Sequence, residues 1–461
     1  MNKKIVDELK DIVGEAYVIT DLEQKLNYFY DEIEYTVRPK ANMDSIIVKP
    51  ADTLEISKIM KYANENKIVV VVRGGGTGLC GAAIPTKESI VITMERMNQV
   101  IEIDDKNMMA VLEGGVTLAG LLEELEKYNG ICFPVHPGDE GAHIGGMVAT
   151  NAGGARAVKH GIMRNHIKGI EVVLPNGEVL NLGGKLLKDN SGYNLMNLII
   201  GSEGTLAIVT EVILRLYPED HYSATIVVAF ETINDASNAV IEILRSGVSP
   251  LAVEYQDKHL NIKTAEHLGL HWPLDKGKAD IIIILSEKSE EALYHACEVI
   301  DRISDKYHAY QTVYASTRQE QADILTVRSG SYEIIKDIIV HSFDMAVPPG
   351  YMPEFFNDLW QLVDSYHTST NISAHIADGN LHNDIIMVDG KIPEYAEELK
   401  EKMYKLCFKY GGTITGEHGI GKLRVKDLAL QKSSVEIELM KSIKRVFDPN
   451  GILNPGTVIE V

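Results

Sequence analysis

Two histidines stand seven residues apart in the segment SAHIADGNLHNDIIM, residues 373–387. Two β-prone stretches flank an Asp-Gly pair, which predicts a hairpin with residues 377–380 as its turn. His375 then faces His382 across the ladder, with Cβ atoms ~5 Å apart. Two imidazoles at that spacing can share one divalent ion. The alternative is a solvated pair of histidines that binds nothing.

A glutamate and a histidine are adjacent in the glycine-rich segment GGTITGEHGIGKLR, residues 411–424. Neighbouring side chains of an extended segment point in opposite directions. Glu417 can therefore ligate a metal while His418 faces elsewhere. The alternative is a turn that happens to carry two polar residues.

An arginine lies on the apolar face of a predicted helix. In QADILTVRSGSYEIIKDI, residues 321–338, Arg328 follows Ile324 by four residues and precedes Tyr332 by four. A guanidinium on an apolar face requires an anion. That anion is either a substrate carboxylate or an internal glutamate.

The stretch VVVRGGGTGLCGAAIP, residues 70–85, leads from a strand into a loop with three consecutive glycines. Its Gly76-x-Gly78-x-x-Gly81 pattern matches a dinucleotide fingerprint. However, Pro85 and a β-prone run follow where that fold requires a helix. No Gly-Lys-Ser/Thr follows either, so a Walker loop is excluded. Two options remain, a backbone nest that cradles a pyrophosphate and a tight structural turn.

Two further glycine-rich stretches favour a cofactor. HPGDEGAHIGGMVATNAGG, residues 136–154, surrounds His143 and Asn151 with small residues, and GSEGTLAIVTEV runs from Gly201 into a strand. Backbone that wraps closely around a flat ligand needs such small residues, whereas a surface loop does not.

Together the three stretches resemble the vanillyl-alcohol-oxidase/PCMH family of FAD proteins. Nearly the whole chain is similar to the glycolate oxidase D-subunit branch, which includes D-lactate and D-2-hydroxyglutarate dehydrogenases. The resemblance implies an α+β fold with a PCMH-type FAD-binding domain, a ferredoxin-like cap domain for the substrate and a C-terminal helical segment. It implies non-covalent FAD, because residues 73–83 lack the histidine that covalent relatives use and Cys80 is the only nucleophile there.

The resemblance also implies which residues contact FAD. They are Arg73, Gly74, Gly75, Gly76, Thr77, Gly78, Leu79, Gly81, Ala82, Pro137, Gly138, Asp139, His143, Gly145, Gly146, Ala149, Asn151, Gly153, Gly154, Gly161, Glu203, Gly204, Ile208 and Asn454.

The same resemblance implies a metal held by His375, His382 and Glu417, with His418 as the catalytic base. Two imidazoles and a carboxylate with open positions suit Fe²⁺, Zn²⁺ or Mn²⁺. A 2-hydroxy acid chelated there would lose its hydroxyl proton to the base and a hydride to flavin N5, which leaves a 2-oxo acid. Arg328 is the implied partner of the substrate carboxylate.

Two departures from the hydroxyglutarate dehydrogenases favour a small monocarboxylate. Those enzymes carry a lysine where Ser342 precedes Asp344 here, and an asparagine where Asp384 stands. The predicted reaction is therefore D-lactate to pyruvate. Glycolate and D-2-hydroxyglutarate are alternative substrates, and a non-catalytic flavoprotein that relays electrons is an alternative function.

The segments that carry this chemistry lie in three predicted parts of the chain. Residues 1–220, with a helix at 52–66 and a hairpin at 170–182, form the FAD-binding domain. Residues 221–411 hold two β–α–β units and form the cap, which favours a ferredoxin-like sandwich. Residues 412–461 return to the flavin domain.

The bulk composition excludes several classes of protein. A net charge of −21 opposes binding to nucleic acid or to an anionic membrane. No apolar run approaches the ~20 residues of a transmembrane helix, and the first residues lack the apolar core of a signal peptide. Four scattered cysteines without a C-x-x-C pair predict reduced thiols in a cytoplasmic protein and no iron–sulfur cluster.

Electrons must therefore leave the flavin for an external acceptor. The chain looks like the catalytic subunit of anaerobic bacterial lactate dehydrogenases that work with an electron-transferring flavoprotein. The predicted protein partners are thus the α and β subunits of that flavoprotein. Whether such a complex performs electron bifurcation is left open by the sequence.

Overall fold

A computed structural model describes residues 2–315 and 317–461. The strands of the first 220 residues are β1 (Val18–Ile19), β2 (Ile46–Val48), β3 (Val69–Arg73), β4 (Ser89–Thr93), β5 (Val100–Asp104), β6 (Met109–Glu113), β7 (Ile131–Cys132), β8 (Ile167–Val173), β9 (Val179–Gly183), β10 (Ile208–Arg215) and β11 (Tyr217–Pro218). The helices there are α1 (Lys3–Val13), α2 (Leu22–Leu26), α3 (Thr53–Asn66), α4 (Leu118–Leu125), α5 (Ile144–Thr150), α6 (Ala157–His160), α7 (Met163–His166) and α8 (Leu195–Ile199).

The first sheet, in the order β1-β2-β4-β3, carries the glycine loop at the end of β3. Strands β2, β4 and β3 pair in parallel, and β2 and β4 are buried along their whole length, as parallel strands usually are. Helix α3 packs on this sheet with Ile56, Ile59 and Met60 at helical spacing. Its first turn is capped by Asp52, whose carboxylate accepts the Glu55 amide. The glycine loop therefore starts from a rigid strand.

The second sheet, in the order β5-β6-β10-β8-β9, is antiparallel throughout. Its β8–β9 hairpin turns at Gly177, where φ is +84° and glycine is favoured, as the Asn-Gly pair predicts. Helix α5 packs against β10 in this sheet. The glycine loop follows a strand of the first sheet, whereas α5 packs on the second sheet. The width of the space between them therefore depends on how the two sheets are placed.

The remaining strands are β12 (Tyr222–Phe230), β13 (Ala252–Asp257), β14 (Ala279–Glu287), β15 (Gln311–Ala315), β16 (Ile339–Ala346), β17 (Ile372–His375) and β18 (Asn380–Ile386). The remaining helices are α9 (Ile233–Arg245), α10 (Lys258–Leu268), α11 (Glu290–Lys306), α12 (Arg318–Ile335), α13 (Met352–Asp364), α14 (Ala396–Lys409), α15 (Leu428–Gln431) and α16 (Ser434–Phe447).

One seven-stranded antiparallel sheet, in the order β15-β12-β14-β13-β17-β18-β16, forms the centre of the cap. Numbered by their own sequence, its first four strands follow the order 4-1-3-2 of the ferredoxin-like fold, so that prediction is confirmed. The sheet then continues through β17, β18 and β16, which carry the two histidines. Helix α10, between β13 and β14, was not predicted from the sequence.

The C-terminal segment contacts both halves of the molecule. Asn454 donates its amide to the Val70 carbonyl of β3 at 2.8 Å. Thr415 forms a bridge to Asp344 of β16 in the cap. On these contacts we propose the three-part organisation of residues 1–220, 221–411 and 412–461.

Candidate active site

A groove runs between the glycine loop and helix α5. Counting the part open to solvent, it holds about 1290 Å³ of empty space. Most of the predicted cofactor residues line it, namely Gly74, Gly75, Gly76, Thr77, Gly78, Leu79, Ala82, Pro137, Asp139, His143, Gly145, Gly146, Ala149, Gly153, Glu203, Gly204, Ile208 and Asn454.

Glycines, which have no side chain, give the groove its shape. A Cβ on Gly75 would lie 2.5 Å from the Gly141 carbonyl oxygen, and one on Gly145 would lie 2.8 Å from the Gly114 carbonyl oxygen. Gly146 differs, because a Cβ there would meet no atom within 4 Å. Gly146 also lines the groove, so its missing side chain leaves open space for a ligand. A flat, extended cofactor fits such a wall of bare backbone.

Six predicted cofactor residues lie outside the groove lining, namely Arg73, Gly81, Gly138, Asn151, Gly154 and Gly161. The Arg73 guanidinium turns away to donate to the Tyr30 carbonyl at 2.8 Å. Asn151 ends α5 in the left-handed region at φ +54°, and its Oδ1 accepts the Arg164 amide. Such residues shape the loops around the groove, and direct contact between them and a cofactor stays a prediction.

Sequence reasoning missed a set of groove residues. They are Asp31, Val72, Ala83, Met94, Ala142, Met147, Thr150, Ala152, Ala207 and Val209. Most are small or apolar residues beside the glycine motifs. The hydrophobic pattern of the sequence assigns such residues to the core and gives no sign that they line a groove. Asp31 lies far upstream and belongs to no motif. Burial raises its pKa to about 6, against the opposing effect of backbone amides and Arg73.

Two groove residues also tie the C-terminal segment to the cofactor groove. The buried Glu203 carboxylate accepts the Ile420 and Gly421 amides, both at 2.7 Å. Asn454 Oδ1 accepts the Val72 amide at 2.9 Å. Glu417 and His418 are therefore held beside the groove and form part of its lining.

The histidine hairpin forms with a different register from the predicted one. His375 pairs with Asn380, and His382 pairs with Ser373, so the two histidines are diagonal neighbours. The turn occupies residues 376–379, because the Asp378 and Gly379 amides both donate to the His375 carbonyl. A shift of two residues keeps every side chain on its face of the sheet. The two rings accordingly remain close, with centroids 5.3 Å apart.

The three predicted metal ligands converge on one carboxylate oxygen. Glu417 Oε1 lies 3.4 Å from His375 Nε2 and 3.3 Å from His382 Nε2. A second donor set overlaps with it, since Asp344, His382, Glu417 and His418 place ligand atoms within 4.8 Å of one another. This clustering of nitrogen and oxygen donors fits a divalent ion.

Glu417 and His418 do not point in opposite directions, so that expectation is wrong. His418 Nε2 lies only 3.9 Å from Glu417 Oε1, and its ring stacks on that of His382 at 5.0 Å. The reason is Asp344, a fully buried carboxylate that curls the backbone. Its Oδ2 accepts the amides of Glu417 at 3.0 Å and of His418 at 2.7 Å. The segment is a bend and not an extended strand.

Burial and neighbouring charges set the protonation of these groups. Burial lowers the pKa of His418 to about 4, although Asp344 opposes the shift. Its imidazole is therefore neutral at pH 7, as a proton acceptor must be. Burial disfavours the charged form of Glu417, yet His375 and His382 hold its pKa well below the usual range. Glu417 is thus an anion, and together with Glu254 it holds the pKa of His375 well above the usual range.

Arg328 contacts an internal glutamate, which was the alternative to a substrate. Its Nη2 lies 2.7 Å from Glu254 Oε2, while Glu254 Oε1 lies 2.7 Å from His375 Nδ1. The Arg328 Nε is buried and has no hydrogen-bond partner among the described residues. The Nε donor is therefore unused, and contact with a substrate carboxylate stays a prediction.

Sequence reasoning named neither Glu254 nor Asp344 as a site residue. A signal for each was present, because each is a single carboxylate within an apolar strand, PLAVEY for Glu254 and HSFDMAV for Asp344. A carboxylate buried in a sheet needs a partner. The sequence alone does not show which partner that is.

Cys80 faces away from the groove lining. Its Sγ lies 3.2 Å from the carbonyl oxygens of both His418 and Gly419 and 2.6 Å from Arg424 Nη1. Burial raises its pKa to about 12, so it is a neutral thiol. These contacts oppose a role for Cys80 as an attachment point.

The chain matches two family models. The model of the FAD-linked oxidase C-terminal domain matches residues 219–458, and that of an FAD binding domain matches residues 45–183. The chain is 37% identical over 455 residues to a D-lactate dehydrogenase of Archaeoglobus fulgidus, which covers 98% of this chain and 99% of that protein. It is 32% identical over 467 residues to a D-lactate dehydrogenase of Anaerostipes hadrus, which covers 99% and 97%.

The fold is also that of a solved flavoenzyme. The structure of p-cresol methylhydroxylase with substrate bound matches with a TM-score of 0.79 at 17% identity, over 99% of this chain and 96% of that chain. This likeness concerns the fold alone and confirms the predicted PCMH-type architecture. Within the described residues, none of the helices has the length and apolar character needed to cross a membrane.

Proposed function

Because the chain belongs to the FAD-linked oxidase family and is an FAD-dependent oxidoreductase, we propose that it oxidises D-lactate to pyruvate. The proposal includes one divalent ion, Fe²⁺, Zn²⁺ or Mn²⁺, and non-covalent FAD. Reduced flavin passes its electrons to an electron-transferring flavoprotein. The expected location in the cytoplasm belongs to the same proposal.

One observation carries this proposal more than any other. Glu417 and His418 line the cofactor groove, and Glu417 Oε1 lies within 3.4 Å of the two imidazoles that face it. A substrate held at these donors would therefore adjoin the cofactor. That adjacency is what a dehydrogenase needs and what an electron relay with a structural metal does not.

The residues present fit both groups that the proposal requires. Bound FAD supplies the hydride acceptor. An ion held by His375, His382 and Glu417 supplies a Lewis acid that lowers the pKa of a chelated hydroxyl. The neutral His418 accepts that proton, and Arg328 binds the substrate carboxylate through its unpartnered Nε. Asp344 keeps the acceptor and the ligand in one turn through their amides.

The choice of a monocarboxylate rests on two paired strand residues. Ser342 of β16 stands opposite Asp384 of β18, two residues beyond His382. Burial raises the pKa of Asp384 to about 7, partly offset by a hydrogen bond from Ser342. Neither Ser342 nor Asp384 offers a cation that could pair with a second carboxylate of the substrate. Two relatives that cover nearly the whole chain are named D-lactate dehydrogenase.

The proposed partner follows from the resemblance to flavoprotein-linked lactate dehydrogenases. The chain has no C-x-x-C pair, and Cys80, Cys132, Cys297 and Cys407 are free thiols in the described structure, so a built-in iron–sulfur relay finds no support. Under nitrogen, oxidised electron-transferring flavoprotein should reoxidise the lactate-reduced protein. Reoxidation by quinone or oxygen alone would contradict this partner.

Metal removal tests the function most economically. Protein dialysed against a chelator should keep its FAD, yet D-lactate should reduce it at least ~10²-fold more slowly, because the hydroxyl is no longer activated. Stopped-flow absorbance should show recovery when Zn²⁺, Mn²⁺ or Fe²⁺ is returned. Unchanged reduction without metal would contradict metal dependence, and no reduction by any 2-hydroxy acid would favour the electron relay.

A further inference from the structure

Glu254 occupies a central position in the cap sheet. It lies on β13, between β14 and the β17 strand that ends in His375. It is only 3% exposed, and it is absent from the residues that line the groove. A carboxylate so deeply buried is costly unless its oxygens have partners.

Each oxygen of Glu254 has a different partner. Oε1 lies 2.7 Å from His375 Nδ1, and Oε2 lies 2.7 Å from Arg328 Nη2. We propose that Glu254 is a positioning residue that orients His375 toward the metal and Arg328 toward the substrate carboxylate. This inference rests on the proposed function and deepens it, because one carboxylate contacts both a proposed metal ligand and the proposed partner of the substrate carboxylate.

The contact with His375 keeps a proton on one of its ring nitrogens. A carboxylate accepts a hydrogen bond, so Nδ1 must be the donor. Nε2 is then the ring nitrogen available to a metal, and it faces Glu417 Oε1, 3.4 Å away. Carboxylates behind metal-bound histidines act in this way, and their loss typically weakens metal binding ~10–100-fold.

The contact with Arg328 fixes the direction of the guanidinium. With Nη2 held by Glu254, the unpartnered Nε is one of the donors that remain for an incoming carboxylate. The paired charges also reduce the cost of keeping a guanidinium on a helix face that is mostly apolar. Loss of Glu254 should therefore affect the binding of metal and of substrate together.

The test is Glu254→Gln, which keeps the shape but replaces one acceptor oxygen by an amide donor, so that it cannot accept from both His375 and Arg328. Titration calorimetry of the FAD-loaded protein with Zn²⁺ alone should show ~10–100-fold weaker binding. At saturating metal, the KM for D-lactate should rise while the FAD content stays at the wild-type level.

A matched control is Asp280→Asn on the neighbouring strand β14. Asp280 is also a buried carboxylate with one ring N–H partner, Trp272 Nε1 at 2.8 Å, and one cation, Lys258 at 3.2 Å. Its replacement should leave Zn²⁺ affinity and KM at the wild-type level, because Trp272 and Lys258 are neither proposed metal ligands nor substrate-binding residues.

The outcomes separate this inference from the proposed function. If Glu254→Gln binds Zn²⁺ as tightly as wild type, or if Asp280→Asn weakens it equally, the positioning role is overturned while the function stands. If the wild-type protein binds no divalent ion and still oxidises D-lactate, both the inference and the metal dependence are overturned.

Discussion

At the scale of single residues, the site depends on how Asp344 bends one short segment. The carboxylate accepts the amides of both Glu417 and His418, and it also accepts the Thr415 hydroxyl at 2.6 Å. Ligand and base candidates that would diverge in an extended strand are thereby brought to the same centre. Residue types in the sequence identified both side chains, whereas their relative direction required a long-range contact that local pattern does not contain.

The roles of Glu417 and His418 should separate by the kind of loss that each substitution causes. Glu417→Gln should weaken metal binding, so activity returns at least partly in excess divalent ion. His418→Asn should keep metal and FAD but slow flavin reduction ~10²–10⁴-fold, because a positioned base is lost. Metal analysis and stopped-flow absorbance distinguish the two. A His418→Asn protein without metal beside a Glu417→Gln protein that retains it would reverse the assignment.

A second residue-scale prediction concerns the stability of the fold against acid. His166 is 1% exposed and lies edge-on to the rings of Phe133 and Tyr217. Burial lowers its pKa to about 4, whereas an unfolded histidine titrates near ~6.5. Between these values the unfolded state binds the additional proton. The free energy of unfolding should therefore fall as the pH drops, by at most about 1.4 kcal/mol per pH unit from this group.

His166→Phe removes that titration and keeps an aromatic ring in the same space. Urea unfolding of both proteins at pH 7.5 and pH 5 measures the difference. The wild type should lose more stability between the two pH values than the variant does. Parallel losses in both proteins would show that His166 does not titrate in this way.

At the scale of elements, the sequence located most strands and helices but not their pairing. Alternation and the Asp-Gly turn placed the histidine hairpin correctly, yet its register differed by two residues because the turn begins at Ile376. The two histidines still lie on the same face of the sheet, because side chains alternate between the faces with a period of two residues. Helix α10 was missed because KHLNIKTAEHL, Lys258–Leu268, has a weakly amphipathic pattern. The glycine stretches identified most of the groove.

The wall of the groove gives a prediction for helix α5. Gly146→Leu adds a good helix former whose side chain meets no protein atom within 4 Å at its Cβ. The variant should fold, yet it should lose most of its FAD because the side chain enters the groove. Absorbance of the purified protein and its circular dichroism measure both properties.

Gly350→Leu is the matched control. A Cβ there also meets nothing within 4 Å, and Gly350 does not line the groove. It should keep full FAD. Full flavin content in Gly146→Leu would mean that the cofactor does not pass along α5.

At the scale of the whole molecule, three parts of the chain meet at one place. Residues before 220 supply most of the groove, β17 and β18 supply two imidazoles, and the segment after residue 411 supplies Glu417 and His418. Contacts such as those between Glu203 and Ile420 join residues more than two hundred positions apart. Such contacts depend on tertiary packing, which the local sequence pattern does not contain. From the sequence, only the resemblance to a known family could predict that these segments share one site.

The attachment of FAD is also a property of the whole assembly. The cofactor should be held without a covalent bond, since residues 73–83 contain no histidine and Cys80 is a buried neutral thiol. Acid precipitation should release yellow flavin into the supernatant. Flavin that stays in the pellet would indicate a covalent bond.

Anaerobic titration of the FAD-loaded protein tests the central claim most directly. Under nitrogen, stepwise D-lactate should bleach the flavin absorbance with an endpoint of one equivalent per FAD, because each oxidation delivers two electrons. D-2-hydroxyglutarate should act much more weakly, since neither Ser342 nor Asp384 offers a cation for its second carboxylate. Glycolate provides the comparison for a smaller acid. Full bleaching by D-lactate that disappears in metal-free protein is the predicted result. A flavin that stays oxidised with every 2-hydroxy acid, in protein shown to contain both FAD and metal, would contradict the assignment as a dehydrogenase.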